Sequence, residues 1–545
     1  MRSRISIFSL PSDPNQRFIL AAVFVLALAA AVKACLLIGD AFPFNADEAV
    51  VALMADHILG GEWPVFFYGQ AYMGSLDATM TAGLFALFGR TQIWIRVLQS
   101  VLYLASIITS MQLARKATNS ALASLATGLL MAVPTLNVTL YTSVSLGGYG
   151  EALLIGNLLL LIAFQWLDRD GLTLGSLAGW GLLAGVGFWA FGLTVVYVLP
   201  TLVVLVWKLS KFKSWSARIG RGSAAILGVL IGLTPLLYWA MQNSPQLLLD
   251  EFLGAAIRDT TPQSGLQAVL AHTLNLLLFG TTVIFGFRPP WSTEWLAPVL
   301  SIFPLLFWSL LPASLLLKIQ KREPLNRKTY LLAGVMVCTV GGFLFTPFGN
   351  DPSGRYFLPL YPILAIGAGM LLHSLYVRPS QRYLAMVLLW GTLIFNLWVN
   401  IQAGFVSEEK ITTQFDSITR IDHSYDQALI EFLIQEEEFT GYTNYWVAYP
   451  LAFQSQERLI FIPALPYHPD LRHTQRDNRY QPYSEVVSSS DRWAYITTHN
   501  PALDDWLQQG LSAQGAEWQE TWIGDYHIYY QIEPPLNLDA MGGFD

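Results

Sequence analysis

Three groups of residues have types and spacing suited to chemistry. Asp47 and Glu48 stand side by side in Asn45-Ala46-Asp47-Glu48-Ala49, just after a long apolar run. Membrane interfaces favour Trp, Tyr, Lys and Arg, so adjacent acids there need a reason. Close carboxylates shift one another's pKa, and one can act as a base while the other orients a hydroxyl or a divalent ion. The plainer alternative is a helix start, with Asn45 or Asp47 as the cap and an acidic first turn complementing the dipole. Glu151 opens a second apolar run after Ser143-Val144-Ser145-Leu146-Gly147-Gly148-Tyr149-Gly150. An ionised carboxylate there is costly unless paired or wet, so Glu151 is either a third acid facing the cavity of Asp47 or a helix N-terminal acid. In Gly349-Asn350-Asp351-Pro352-Ser353-Gly354-Arg355-Tyr356, the planar fork of Arg355 can chelate a phosphate and Tyr356 can add a hydrogen bond. The same arginine could instead anchor a span to lipid headgroups.

Weaker candidates surround these. Arg258 and Arg288 could assist at a phosphate. Tyr68, Gln70 and Tyr72 lie in an aromatic, glycine-containing stretch, Glu62 to Ser75, that could contact a sugar or an acceptor, or simply rest in the headgroup layer. His57 and His272 have no short-spaced His or Cys companion, so they read as structural and no metal site is assigned. A divalent ion at the paired acids stays open.

The elements that must hold these groups follow from composition. The chain has 545 residues, 53% hydrophobic and 13% charged. A soluble protein carries about 25% charged residues, so a polytopic α-helical membrane protein is expected. Residues 1–404 hold 24 Lys+Arg against 16 Asp+Glu, a net of +8; residues 405–545 hold 7 against 22, a net of −15. Clusters at Lys208 to Arg221, Lys318 to Lys328 and Arg378 to Arg382 belong on the cytoplasmic side. The run 18–38, after Arg2, Arg4 and Arg17, reads as an uncleaved anchor with its N-terminus cytoplasmic.

Parity between these loops gives about eleven spans. It leaves 75–89 and 266–285 as apolar segments that do not cross, and it makes 39–94 and 243–295 large first and fourth external loops. The last span, 383–402, delivers residues 405–545 outside. That tail reads as a soluble, acidic α/β domain, with Ala502 to Leu511 as a helix, Tyr526 to Ile532 as a strand, and Glu436-Glu437-Glu438 as a solvated helix face. Cys35 and Cys338 are far apart in apolar segments, so no disulfide framework exists.

No Walker loop, dinucleotide-binding glycine pattern or HExxH is present. Nucleotide hydrolysis and zinc proteolysis therefore lack support, and no nucleic-acid partner is expected. Taken together, Asp47-Glu48, the Gly69-Gln70-Ala71-Tyr72-Met73-Gly74 stretch, Leu87-Phe88-Gly89 followed by Arg96, and Arg355-Tyr356-Phe357-Leu358-Pro359 resemble the GT-C integral membrane glycosyltransferases. The likeness covers roughly residues 15–402 and is greatest to the protein O-mannosyltransferase and aminoarabinose-transferase branch.

The resemblance implies an inverting sugar transfer from a polyprenyl-phosphate donor to an extracytoplasmic lipid, glycan or protein, in a bacterial plasma membrane. On matching positions it implies Asp47 as base, Glu48 positioning the acceptor, and Arg355 with Tyr356 on the donor phosphate; Glu151 matches an external acid less securely. The chain lacks the aminoarabinose branch's His partner in the fourth loop and the mannosyltransferase branch's insertion there, so the acceptor class stays open. The alternative function is a non-enzymatic transporter or polysaccharide-export component.

Overall fold

The computed structural model describes residues 13–169, 171–252, 265–322, 324–351 and 353–544; Arg258 lies outside the described residues. Among the described residues, eight helices are long and apolar enough to cross a bilayer, including Gln92–Thr118, Tyr149–Asp168 and Arg327–Phe345. A ninth arises if Trp215–Gly232 and Thr234–Gln242, bent by 63°, form one span, and four shorter apolar helices complete the set. Ala121–Ala132 is one of the shorter helices. The chain breaks at Val133-Pro134, because proline offers no N–H and drives its predecessor out of helical geometry.

The basic loops gather at one end. Lys328 Nζ donates to the Lys116 carbonyl at 2.7 Å, and Lys208 Nζ donates to the Arg169 carbonyl at 2.7 Å. The segments Leu76–Phe88 and Gly265–Ile284 contact other parts of the chain. Leu76–Phe88 begins with Asp77 bonded to Ser145 and ends near the C-terminal region, where Phe85 stacks on Phe453. Gly265–Ile284 is long and apolar enough to cross. His272 bonds the Leu344 carbonyl and Asn350 at 3.0 and 2.9 Å, and Asn275 bonds the Gly349 carbonyl at 2.9 Å. Gly286, just beyond its far end, sits against Thr135. His272 is thus structural, as the sequence suggests.

Two helices are pressed together through glycines. Gly181 and Gly185 on Leu174–Ala190 face Gly228 and Gly232 on Trp215–Gly232; a methyl group added at Gly181 would lie 2.1 Å from the Ala225 carbonyl oxygen. This is the small-xxx-small pattern that lets backbones approach where lipid removes the hydrophobic drive for association.

The first loop contributes a short hairpin, β1 (Phe66–Phe67) and β2 (Gln70–Gly74). Beyond Val406, a five-stranded sheet forms from β3 (Thr440–Thr443), β4 (Ile460–Pro463), β5 (Ala494–Thr498), β6 (Glu517–Ile523) and β7 (Tyr526–Glu533). Its order is β4-β3-β5-β7-β6, parallel for the first three strands and antiparallel for the rest. Helix Tyr445–Gln454 connects β3 to β4, and Pro501–Ala513 follows β5, so the tail has the α/β character expected. The Glu436-Glu437-Glu438 run is not a solvated helix face. Glu438 is buried where the chain enters β3, ion-paired with Arg492 at 2.5 Å and accepting from the Gln531 N–H at 2.8 Å.

Candidate functional site

Asn45 caps helix Ala46–Leu59 by accepting from the Glu48 N–H at 3.0 Å, which puts Asp47 and Glu48 in its first turn. The capping alternative is therefore realised, but by Asn45, and it leaves both carboxylates for other tasks. A helix turns about 100° per residue, so neighbours at 47 and 48 diverge.

Glu48 turns into the protein and is fully buried. Its oxygens take two bonds from Arg96, at 2.9 and 2.8 Å, and a third from Asn45 at 3.1 Å. Arg96 also donates to the carbonyls of Phe42 and Pro43. The pair fastens the start of the Asp47 helix to Gln92–Thr118 and leaves Glu48 facing protein rather than a cavity.

Asp47 is half-buried and turns the other way. Its Oδ1 accepts from the Tyr445 hydroxyl at 2.6 Å, across 398 positions of sequence. Tyr445 heads helix Tyr445–Gln454, whose cap Asn444 is itself tied to Thr498 on β5 at 2.8 Å. The guanidinium of Arg479 lies 5.0 Å from the Tyr445 ring centre and 5.8 Å from that of Phe67. Burial opposes its charge, but Tyr445, Asp47 and Asp477 hold its pKa above the ordinary value. Burial also pushes Asp477 up, to about 6. Gln70, with its amide turned to suit both neighbours, accepts from Arg479 Nη2 at 3.0 Å and donates to the Tyr72 hydroxyl at 3.2 Å. Gly69 permits this approach: its φ is +71°, and a side chain there would sit 2.6 Å from Arg479 Cδ.

Arg355 enters from the membrane half. Its guanidinium donates to Asp351 at 2.6 and 2.5 Å, packs 5.0 Å from the Tyr356 ring centre, and keeps 37% of its side chain exposed. Tyr356 is buried, and its hydroxyl has no partner among the described residues. Tyr72 joins the two halves. Burial raises its pKa, Arg355 and Arg479 both pull it down, and Asp47 pushes it up, so all three charges act on one hydroxyl. The group of Asp47, Tyr445, Gln70, Tyr72 and Arg479 thus combines an oriented carboxylate with a buried guanidinium, and Arg355 with Tyr356 adds a second one from the membrane half. That arrangement suits a displacement in which an acceptor loses a proton and an anion departs.

Three other expected residues lie elsewhere. Glu151 is buried beside Asp77, and neither of its oxygens has a partner among the described residues. It sits behind the site with Gln99, which bonds Asp77 at 3.0 Å, and not with Asp47. Arg288 bonds Thr282 at 2.9 Å and the carbonyls of Phe279, Pro289 and Ser292, so its fork is spent inside its own loop. Tyr68 belongs to a neighbouring aromatic group: it bonds His57 at 2.8 Å and stacks on Tyr480 at 4.6 Å. It also lines a cavity of about 380 Å³ with Phe66, Gln70, Trp239 and Glu251, which opens beside the hairpin. Among the described residues, no three His, Cys, Asp or Glu side chains gather as metal ligands.

Tyr445, Arg479 and Asp477 were not anticipated. A faint signal was available: the tail has 7 basic residues among 22 acidic ones, and an arginine in such company is worth asking about.

No protein-family model matches the sequence, and no curated protein matches it. Solved structures do resemble it. ArnT from Cupriavidus metallidurans bound to undecaprenyl phosphate aligns with a TM-score of 0.56 at 14% identity, over 95% of this chain and 98% of that one. The same protein in its apo state gives 0.57 at 13%, over 94% and 97%. The Archaeoglobus fulgidus oligosaccharyltransferase gives 0.48 at 11%, over 93% and 73%. The likeness to ArnT spans the membrane helices and the C-terminal sheet alike.

Proposed function

Starting from the GT-C fold that this chain shares with ArnT, we propose that it is an integral membrane glycosyltransferase using a polyprenyl-phosphate-linked sugar. The observation that carries this reading is that Tyr445 holds the Asp47 carboxylate at 2.6 Å while the Arg479 guanidinium lies 5.0 Å from the same Tyr445 ring. Two guanidinium groups at the mouth of an apolar bundle fit a lipid phosphate, and a carboxylate facing them fits an acceptor's proton.

In this reading an acceptor O–H or N–H gives its proton to Asp47 while its lone pair attacks the anomeric carbon. The bond from that carbon to the phosphate oxygen breaks on the opposite face, giving inversion. Polyprenyl phosphate leaves with the electron pair, its new charge met by Arg355 and Arg479. Tyr445 holds the carboxylate in place, and Tyr356 has a free hydroxyl for a phosphate oxygen. Glu48 serves as a positioning residue through Arg96. Gln70 and Tyr72 are the sugar or acceptor contacts. The basic end faces the cytoplasm with the N-terminus, the site and residues 405–545 lie outside, and residues 1–404 form the transferase domain. The lipid part of the donor stays in the bilayer.

The test is transfer by purified protein in vesicles supplied with labelled polyprenyl-phosphate pentoses and hexoses. Asp47→Asn is expected to abolish product at unchanged protein level. Undiminished transfer by that variant would remove Asp47 as base. No transfer by the unmodified protein from any such donor would favour a transport role instead.

A further inference from the structure

At the basic end, far from Asp47, a second cavity of about 310 Å³ lies between helices Gln92–Thr118, Tyr149–Asp168 and Leu174–Ala190. Its mouth carries Lys116, Asp168 and Arg169, its throat Gln112 and Gln165, and its depth Leu158, Leu161, Ile162 and Leu183. Ten residues separate Leu158 from Asp168, about 15 Å of helix. The cavity thus runs from a charged mouth into an apolar stretch of the helices.

The charges at the mouth are unevenly spent. Asp168 is engaged by Lys328 at 2.6 Å. The Arg169 and Lys116 carbonyls are capped by Lys208 and Lys328. The exposed side chains of Lys116 and Arg169 themselves have no partner among the described residues. The lining charges, Lys116 and Arg169 against Asp168, thus stand at one end of a slot with polar amides halfway down and aliphatic walls below, and Lys208 and Lys328 lie behind them on backbone carbonyls. Nothing in the sugar-transfer reading uses it.

We propose that this slot binds an anionic phospholipid of the cytoplasmic leaflet. Its phosphate lies between Lys116 and Arg169, Gln112 and Gln165 meet its ester and glycerol oxygens, and one acyl chain lies along Leu158, Leu161 and Leu183. A zwitterionic lipid would bring its own cation against Lys116 and Arg169, so the slot discriminates by headgroup charge.

The full chain, purified in mild detergent, is mixed with equal amounts of phosphatidylglycerol and phosphatidylcholine, and retained lipid is read by native mass spectrometry. Retention is expected to favour phosphatidylglycerol. Lys116→Gln with Arg169→Gln should lower that preference about tenfold or more. Lys211→Gln with Lys213→Gln, outside the slot, should leave it in place. Leu161→Trp, which fills the apolar part without touching charge, should also reduce retention, whereas glycerol phosphate should compete weakly because it lacks the chains. An undiminished preference for phosphatidylglycerol in the Lys116/Arg169 variant overturns the proposal. Glycerol phosphate competing as well as the lipid would show a soluble-phosphate site in its place and overturn it too. Sugar transfer by Asp47 is measured on the same samples, so loss of lipid preference with transfer intact is distinguishable from failure of the transferase reading.

Discussion

Replacing Arg96 by alanine isolates what holds Asp47 in place. Glu48 is completely buried, and its carboxylate depends on Arg96 for two of its three side-chain bonds. Removing one partner of a buried ion pair leaves an uncompensated charge, which costs about 3–5 kcal/mol. The carbonyls of Phe42 and Pro43 also lose their donors. Replacing both members by uncharged groups, Arg96→Met with Glu48→Gln, removes the charge altogether and should recover most of that loss, leaving about 1–2 kcal/mol. The assay is a double-mutant cycle on thermal unfolding in detergent, with transfer rates measured on each variant below its transition. Arg96→Ala should be the least stable of the set, and the double variant should regain stability and a substantial part of kcat. Two results would refute the reasoning. If Arg96→Ala unfolds within about 1 kcal/mol of the unmodified chain, the pair does not anchor the helix. If the double variant is stable but inactive, Glu48 takes part in the chemistry directly.

Further outcomes follow from the same geometry. Tyr445→Phe removes a charge-assisted hydrogen bond of about 1.5–3 kcal/mol and should lower kcat/KM about ten- to a hundredfold with little change in fold, measured by initial rates. Arg355→Ala and Arg479→Ala should each raise KM for the polyprenyl-phosphate donor, and Arg479→Lys should recover little, since an ammonium cannot reproduce the fork; titration of transfer against donor concentration reads both. Asp477 titrates near pH 6 in the folded chain, above its unfolded value near 4. The folded state therefore holds that proton more tightly. Its stabilising contribution, about 3 kcal/mol at most, is present below pH 4 and lost as pH rises through 6. Asp477→Asn should flatten that part of the stability profile, seen by thermal melts between pH 4 and 7. Gly181→Leu should part the two glycine-packed helices and lower the melting temperature of the membrane half.

The parts legible in sequence are those written in local chemistry. Apolar length marked the long helices, such as Gln92–Thr118 and Arg327–Phe345. Alternation and turn residues gave the tail its α/β character. Asp47 and Arg355 stood out because a charge beside an apolar run is conspicuous. Tyr445 and Arg479 were hidden because nothing near them in sequence records a partner some 400 positions away. Glu48 and Arg288 looked available for ligand because the residue type does not say which way a side chain turns. Glu438 looked solvated for the same reason, since a run of acids does not reveal that Arg492 comes to meet one of them.

The hydrogen bond from Tyr445 to Asp47 also sets an order of events at the ribosome. Asp47 is made early and Tyr445 arrives 398 residues later. At about 5–20 residues per second, the carboxylate waits roughly 20–80 s, already inserted, before its hydroxyl partner and Arg479 emerge. For most of that interval Arg355 has not been made either, since it precedes Tyr445 by only about 90 residues, and the cluster around Tyr72 stays incomplete. The bond between Asp47 and Tyr445 therefore forms only when the last quarter of the chain has folded against the first loop.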